Sequence, residues 1–232
     1  VYGDKLADYV GEKFSDLLAR YQPAGTCDIT GTVSGRLDDK DSYRIEGVCS
    51  FENATARYAK FPYRLENVTG TLKLKDRSIM ADMSAEHDEV DLKIEAKVAN
   101  LTGRRRYDVH ITSDNLQLDS DLYRAMNRRQ QKAWFTFMPS GRAGFDYRYR
   151  RVGRKKSDGR PRLRVDLKDV NAVYQPLNYA LEGLTGELVF TGNELKINEI
   201  VSRRGPSRIK ISGSVDGLKE EENRSYDVNI DA

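Results

Sequence analysis

The chain of 232 residues is long enough for one or two domains, each with a modest hydrophobic core. Charged residues make up 32% of it, yet the net charge is only +3, which argues against the strong basic bias of nucleic-acid-binding domains. The sequence contains no run of about 20 apolar residues that could span a membrane, and no signal peptide.

The first predicted element is an amphipathic helix over residues 4–21. Its apolar residues recur at spacings of three and four, the period of a helix with one buried face. Asp4 is suited to cap the first turn, and Pro23 stops the helix because proline cannot continue it. A strand pattern follows directly.

From Thr26 onward the period changes from 3.6 to 2 residues, which predicts β-strands. Apolar and charged residues alternate over residues 43–52, 72–75 and 92–98, so each strand has one apolar face and one wet face. Short polar turns, such as the one at residues 75–78, separate the strands. The pattern predicts an antiparallel meander of about six strands.

Residues 63–72 reveal a tandem repeat. Tyr, Leu, Glu, Thr, Gly and Leu recur in residues 179–188 at a constant offset of 116 (179 minus 63). A second helix-like segment, over residues 119–137, and a second set of alternating strands follow in the same order. The sequence therefore predicts two units, residues 1–116 and 117–232, that superpose and join edge to edge.

Cys27 and Cys49 fall on two predicted strands that flank a turn at residues 36–41. Neighbouring strands would bring them close together, and the second unit has Ala143 and Val165 at the equivalent positions. A disulfide formed in an oxidising compartment and a pair of buried free thiols both fit this pattern.

Only two histidines are present, and neither lies in a pattern typical of catalysis or metal binding. His87 falls in a charged segment predicted to be a solvated hairpin tip, and His110 alternates with apolar residues and should face water. No P-loop, nucleotide-binding glycine pattern or serine elbow occurs. We therefore predict no catalytic residues, no metal site and no cofactor, and hence a protein that is not an enzyme.

The repeated phrase Tyr-x-Leu-x-x-(Val/Leu)-Thr-Gly-x-Leu is followed in the second unit by residues 208–215, which read x-Ile-x-Ile-x-Gly-x-Val. In the first unit, residues 91–98 have this form with Ala96 in place of the glycine. Together these motifs resemble the repeats of the AsmA-like and TamB-like envelope proteins, and the resemblance covers essentially the whole chain. It implies a mainly β fold with one helix per repeat, in which the two repeats form a curved, open antiparallel sheet with an apolar groove.

In that family the groove shields lipid tails while phospholipids cross the periplasm between the inner and outer membranes. The resemblance thus implies a periplasmic location, with the full-length protein anchored in the inner membrane. The implied partners are phospholipid or another acyl-chain lipid, neighbouring repeats of the same chain and an outer-membrane protein, but no nucleic acid. The residues predicted to line the groove are Leu72, Leu74, Ile79, Leu92, Ile94, Val98, Leu188, Phe190, Leu195, Ile209, Ile211 and Val215.

A structural role is the alternative function. The helices would then cover the apolar face, and the units would act as spacers or as templates for β-strand addition in envelope or outer-membrane protein assembly. A lipid path instead predicts that a charge at Leu188 or Ile211 blocks transport, because an acyl chain cannot compensate the desolvation of an ion. Charge changes at Lys73 or Lys210, on the wet face, should be nearly silent.

Overall fold

A single antiparallel sheet of twelve strands, in the order of the chain, forms the body of the protein. The computed structural model describes residues 19–36, 38–75, 77–101, 104–153, 155, 158–219 and 223–232. Within these ranges the two outermost strands pair on one side only, so the sheet is open and is not closed into a barrel. This confirms the predicted mainly β fold. The strands are β1 (Ala24–Arg36), β2 (Asp39–Tyr58), β3 (Phe61–Lys75), β4 (Ser78–His87), β5 (Val90–Ala99), β6 (Arg106–Gln117), β7 (Arg142–Val152), β8 (Gly159–Tyr174), β9 (Tyr179–Thr191), β10 (Glu194–Arg204), β11 (Ser207–Asp216) and β12 (Ser225–Asp231).

The helical segment between β6 and β7 consists of two helices, α1 (Ser120–Ala125) and α2 (Arg128–Phe137), where the sequence predicts one. The break occurs because Met126 is extended and Asn127 begins a new helix. The Asn127 side-chain oxygen accepts a hydrogen bond from the backbone N–H of Gln130, and the Gln130 side-chain oxygen accepts one from the backbone N–H of Asn127. This reciprocal pair is a capping box. The other predicted helix, residues 4–21, lies outside the described residues except for 19–21, which are helical.

The same irregularity of strand pairing occurs in both halves of the sheet. Between β2 and β3 the register slips and then returns, and it does so again between β8 and β9. Each pair at the slip in the second half lies 116 residues after its counterpart in the first: Ala54 with Val68 and Ala56 with Leu65 in the first, Val170 with Leu184 and Ala172 with Leu181 in the second.

The division of the chain into two units at residues 116 and 117 stays a prediction, because the sheet continues through it without interruption.

The buried core lies towards one end of the strands. Leu122 and Ala125 of α1 pack there against Tyr63 and Leu116 of the sheet. Since α1 contacts β3 and α2 contacts β8, the two helices cover this end of the apolar face and not its full length. Two further buried clusters lie within the sheet itself: Ala54, Val68 and Ala85 in the first half, and Ala143, Val170, Ala172, Leu184 and Ile200 in the second.

Candidate functional site

One row of side chains crosses the entire sheet, and we call it the apolar row. Each member is the direct cross-strand partner of the next, so all of them point to the same face of the sheet. None of them is charged. The row consists of Cys27, Phe51, Gly70, Met83, Ile94, Ile111, Tyr147, Leu163, Phe190, Leu195, Val215 and Tyr226, one from each strand in order.

All twelve predicted groove residues lie on the face of the apolar row. Ile94, Phe190, Leu195 and Val215 belong to the row, and the other eight lie an even number of residues from a row member on the same strand. Because side chains alternate with a period of two along a strand, an even spacing keeps them on one face. Leu92 and Val215 are buried, and the remaining ten are half-buried.

The helices α1 and α2 leave these twelve positions largely uncovered. The buried cluster beneath α1 contains none of them. Ile94, Leu188 and Ile211 pack instead against the two clusters within the sheet, and the other nine belong to none of the three clusters of the described residues. The face along the apolar row therefore has no second layer formed by the described helices.

The apolar row runs obliquely to the repeat. Cys27 of β1 and Tyr147 of β7 both belong to it, but the residue equivalent to Tyr147 in the first unit is Gly31 (147 minus 116), four residues beyond Cys27. Four residues of strand correspond to about 13 Å. The apolar surface of the second half is thus displaced along the strands relative to that of the first, while the row itself stays continuous.

The opposite face is charged and closely paired. His110 lies between two carboxylates, with Nδ1 3.5 Å from Glu95 and Nε2 3.1 Å from Asp146. Burial raises the pKa of Asp146, but hydrogen bonds from Arg148 and His110 outweigh it and hold the pKa below its ordinary value. A hydrogen bond from Lys93 lowers the pKa of Glu95.

Cys27 and Cys49 are neighbours on the apolar face without being directly opposite, since their cross-strand partners are Phe51 and Ile29. Both are free thiols. The pKa of Cys49 is raised to about 11, chiefly by burial. A hydrogen bond with the Cys27 side chain and repulsion from the Cys27 thiolate act in the same direction. The structure therefore brings the two sulfurs together in the reduced state, and the disulfide stays a prediction.

His87 does not lie in a solvated hairpin tip, and that prediction is wrong. Its side chain is only 7% exposed, and its ring packs on that of Tyr63 with 3.8 Å between the ring centroids. Ligand atoms of His87, Asp88 and Asp119 lie within 4.8 Å of one another, although the sequence predicts no converging ligands. Asp119 follows His87 by 32 residues (119 minus 87), and only the packing of α1 on the sheet brings them together.

Comparison with protein-family models, with curated proteins and with solved structures finds no match for this chain. The resemblance to the AsmA-like repeats therefore rests on the sequence motifs alone. Within the described residues, no helix is long and apolar enough to cross a membrane.

A shallow depression of about 450 Å³ lies beside the end of α2, between β8 and β9. Met138, Ala172 and Leu181 are among the residues that line it, and none of the twelve predicted groove residues does. It is an open notch at the end of the sheet that carries the helices. The apolar row is the more extended candidate for a binding surface.

Proposed function

We propose that this chain is a segment of a periplasmic AsmA-like envelope protein. Its apolar face shields lipid tails during phospholipid transport between the inner and outer membranes, and the full-length protein is anchored in the inner membrane. The observation that carries this proposal is the apolar row, which is uncharged from β1 to β12 and extends beyond the cover of α1 and α2. A large contiguous apolar surface on a protein marks a site that meets another protein, a membrane or a lipid.

The chemistry and length of the row favour acyl chains. Each methylene removed from water contributes about 0.8 kcal/mol, and a hydrocarbon tail needs no polar partner. Twelve strands about 4.8 Å apart extend the row over about 50 Å. That exceeds the roughly 30 Å of the hydrocarbon core of a whole bilayer, so it is several times what one tail requires. A surface of this length suits passage of lipids better than storage of one molecule.

The exposed area of the chain agrees with an uncovered face. The chain exposes 16223 Å² at a mass of 26.4 kDa. A compact monomer of that mass exposes about 10,600 Å². A sheet that lacks a second layer is expected to show such an excess, because domains ordinarily bury one apolar face against another. The uncovered face is the part that the proposal assigns to lipid.

Photocrosslinking tests the proposal at two adjacent positions of β3. Leu72 is a half-buried groove residue, whereas Lys73 is exposed on the charged face. A photoreactive residue at position 72 of the full-length protein in cells should form lipid adducts, and the same residue at position 73 should form few. Equal adducts from both positions, or none from either, would contradict the lipid path.

The exposed sheet edges favour a second candidate, a structural role in envelope assembly. All thirteen residues of β1 and all seven of β12 are exposed, and among the described strands each of the two pairs on one side only. Unpaired strand edges accept a further strand from another chain or segment. If a charge on the apolar row leaves lipid transport intact while envelope assembly depends on β1 or β12, the structural role is the better account.

A further inference from the structure

The ring of His87 is held in one orientation at the end of β4. Its Nδ1 lies 2.7 Å from the carbonyl oxygen of Arg64. A carbonyl can only accept, so Nδ1 carries the proton and donates it. In the neutral ring, Nε2 then carries a lone pair. The side chain is 7% exposed, and Nε2 is buried without a hydrogen-bond partner among the described residues. Buried polar atoms of this kind ordinarily have a partner.

Carboxylates from two separate segments surround this nitrogen. An oxygen of Asp88, in the β4–β5 turn, lies 3.7 Å from Nε2, and one of Asp121, in α1, lies 4.0 Å from it. Asp119, just before α1, completes a group with His87 and Asp88 in which all ligand atoms lie within 4.8 Å of one another. A lone pair facing carboxylates is repulsive unless a proton or a metal cation lies between them.

The charges and a neighbouring hydroxyl also favour a cation at this position. Asp88, Asp119 and Asp121 carry three negative charges, and Arg124, 3.0 Å from Asp121, compensates one of them. Two charges remain, which matches one divalent ion. The hydroxyl of Tyr63 is buried and has no hydrogen-bond partner in the part of the chain that the structure describes. Its pKa is raised by burial and then by the negative charges of these same three carboxylates.

We propose that His87 Nε2 and carboxylate oxygens of Asp88 and Asp119 bind one divalent transition-metal ion of the Zn²⁺ type. Imidazole nitrogen combined with carboxylate oxygen is a ligand set that suits Zn²⁺, whereas Mg²⁺ and Ca²⁺ prefer oxygen ligands alone. The hydrogen bond from His87 Nδ1 to a backbone carbonyl is the support that metal-binding histidines ordinarily have. The proposal is independent of the lipid function.

The geometry permits an ion after a small closure of the site. Bonds of about 2.1 Å to a tetrahedral ion place its ligand atoms about 3.4 Å apart, so separations of up to 4.8 Å between the ligand atoms must shorten by as much as about 1.4 Å. The side chain of Asp88 is 70% exposed and can rotate inward. One carboxylate oxygen of Asp119 already accepts from the amides of Asp121 and Leu122, which leaves its second oxygen for the ion. Water completes the coordination on the open side.

The ion would fasten α1 to the turn between β4 and β5. His87 ends β4, Asp88 lies in the turn that follows, and Asp119 is the residue that caps α1. In the second unit the positions of His87 and Asp88 are taken by Arg204 and Gly205 (87 plus 117 and 88 plus 117, because β10 carries one inserted residue), and neither side chain can act as a ligand. The clamp is therefore specific to the junction between the two halves of the sheet.

Zn²⁺ competition against a chromophoric chelator tests the site. The whole chain is used in a Cys27→Ser, Cys49→Ser background, so that thiols cannot bind the probe. One Zn²⁺ should bind per chain, and Asp88→Asn and Asp119→Asn should each weaken binding about tenfold or more. Asn tolerates the positive φ of 47° at position 88, and at position 119 it still caps the helix. Both variants should therefore fold.

His110→Gln is the matched control. Its ring also meets two carboxylates, but Glu95 and Asp146 approach different nitrogens and cannot share one ion with it. Zn²⁺ should raise the unfolding temperature of the background chain and of this control, and should raise that of Asp88→Asn by a clearly smaller amount. Three results would overturn the site: no Zn²⁺ bound, equal affinity in the Asp88→Asn and Asp119→Asn chains, or the same loss in His110→Gln. If a proton occupies His87 Nε2 in place of the ion, no Zn²⁺ will bind.

Discussion

Ile111 of β6 and Tyr147 of β7 are direct cross-strand partners, and this pair carries the apolar row from the first half of the sheet into the second. Both helices lie between these two strands in the chain. The strands nevertheless pair from Arg106 with Val152 to Gln117 with Arg142. The helical insertion therefore does not interrupt the apolar surface at the point where the two predicted units meet.

A charge at this junction should obstruct the proposed lipid path. Ile111→Lys places an ammonium group in the apolar row, and an acyl chain cannot replace its hydration. We expect a decrease of about tenfold or more in lipid adducts at position 72, since a charge facing hydrocarbon costs about 2.5 kcal/mol or more. Thr112→Lys, next along β6 on the charged face and opposite Asp146, is the control. Equal adducts in the two variants, both with unchanged thermal unfolding, would mean that the junction is not on the path.

Gly70 and Gly186 should tolerate alanine poorly. They occupy equivalent positions in β3 and β9, with φ of 139° and 130°. A Cβ at Gly70 would overlap the carbonyl oxygen of Asp82, and one at Gly186 would lie 2.5 Å from that of Glu199. Each substitution is expected to lower the free energy of unfolding by about 1–3 kcal/mol, measured by chemical denaturation.

Gly192→Ala separates the clash from the backbone strain in that experiment. Gly192 also has a positive φ, 63°, but a Cβ there would meet no atom within 4 Å. Alanine should cost only the strain of the left-handed conformation, about 1–2 kcal/mol. If all three variants lose the same free energy, the close approach of the neighbouring strand contributes nothing at Gly70 and Gly186.

The reactivity of Cys49 should depend on pH up to unusually alkaline values. Its pKa is about 11, against an ordinary 9.0, and only the thiolate is alkylated. Alkylation of Cys49 in the folded chain, followed by peptide mass spectrometry, should become faster until about pH 11. An alkylation rate that is constant above pH 9.0 would contradict the raised pKa.

Treatment of the chain with an oxidant before alkylation tests the predicted disulfide between Cys27 and Cys49, which would protect both cysteines from alkylation.

The same pKa predicts a change in stability with a defined sign. The pKa in the folded state exceeds the value of 9.0 expected in the unfolded state. The neutral Cys49 thiol therefore makes its full contribution to the free energy of unfolding below pH 9.0, and this contribution is lost as the pH rises through about 11. Because Lys and Tyr side chains also titrate there, the measured quantity is the difference in free energy of unfolding between the native chain and Cys49→Ser across this range. A difference that does not vary with pH would contradict the prediction.

Two arginine pairs on the charged face should destabilise the sheet slightly. Arg148 is directly opposite Arg162, and Arg150 is opposite Arg160. Like charges at such positions are unfavourable, so Arg162→Glu should raise the free energy of unfolding by about 0.2–1 kcal/mol. The gain should vanish at 1 M salt, where the screening length is about 3 Å. Arg44→Glu, opposite Ser34, is the control and should give no gain.

The sequence by itself determined the strands and the faces of their side chains. Alternation with a period of two placed Leu72, Ile94 and Phe190 on one face, because successive side chains on a strand point to opposite sides whatever the neighbouring strands do. The hairpin turns at 75–78 and 191–194 were equally predictable from their residues. The break before α2 was readable too, since Asn127 and Gln130 have the spacing of a capping box, but the helical pattern on either side concealed it.

Only the tertiary structure decided which distant residues meet. The displacement of four residues between Cys27 and Tyr147 in the apolar row accumulates over the six pairings that join seven successive strands. Each pairing has its own register, and no local pattern encodes their sum. The burial of His87 has the same origin. Its local sequence is charged and resembles a turn, but α1 packs across the end of the sheet and places Asp119 beside it. Contacts between segments depend on how whole elements pack, and packing is a property of the folded chain rather than of any short stretch.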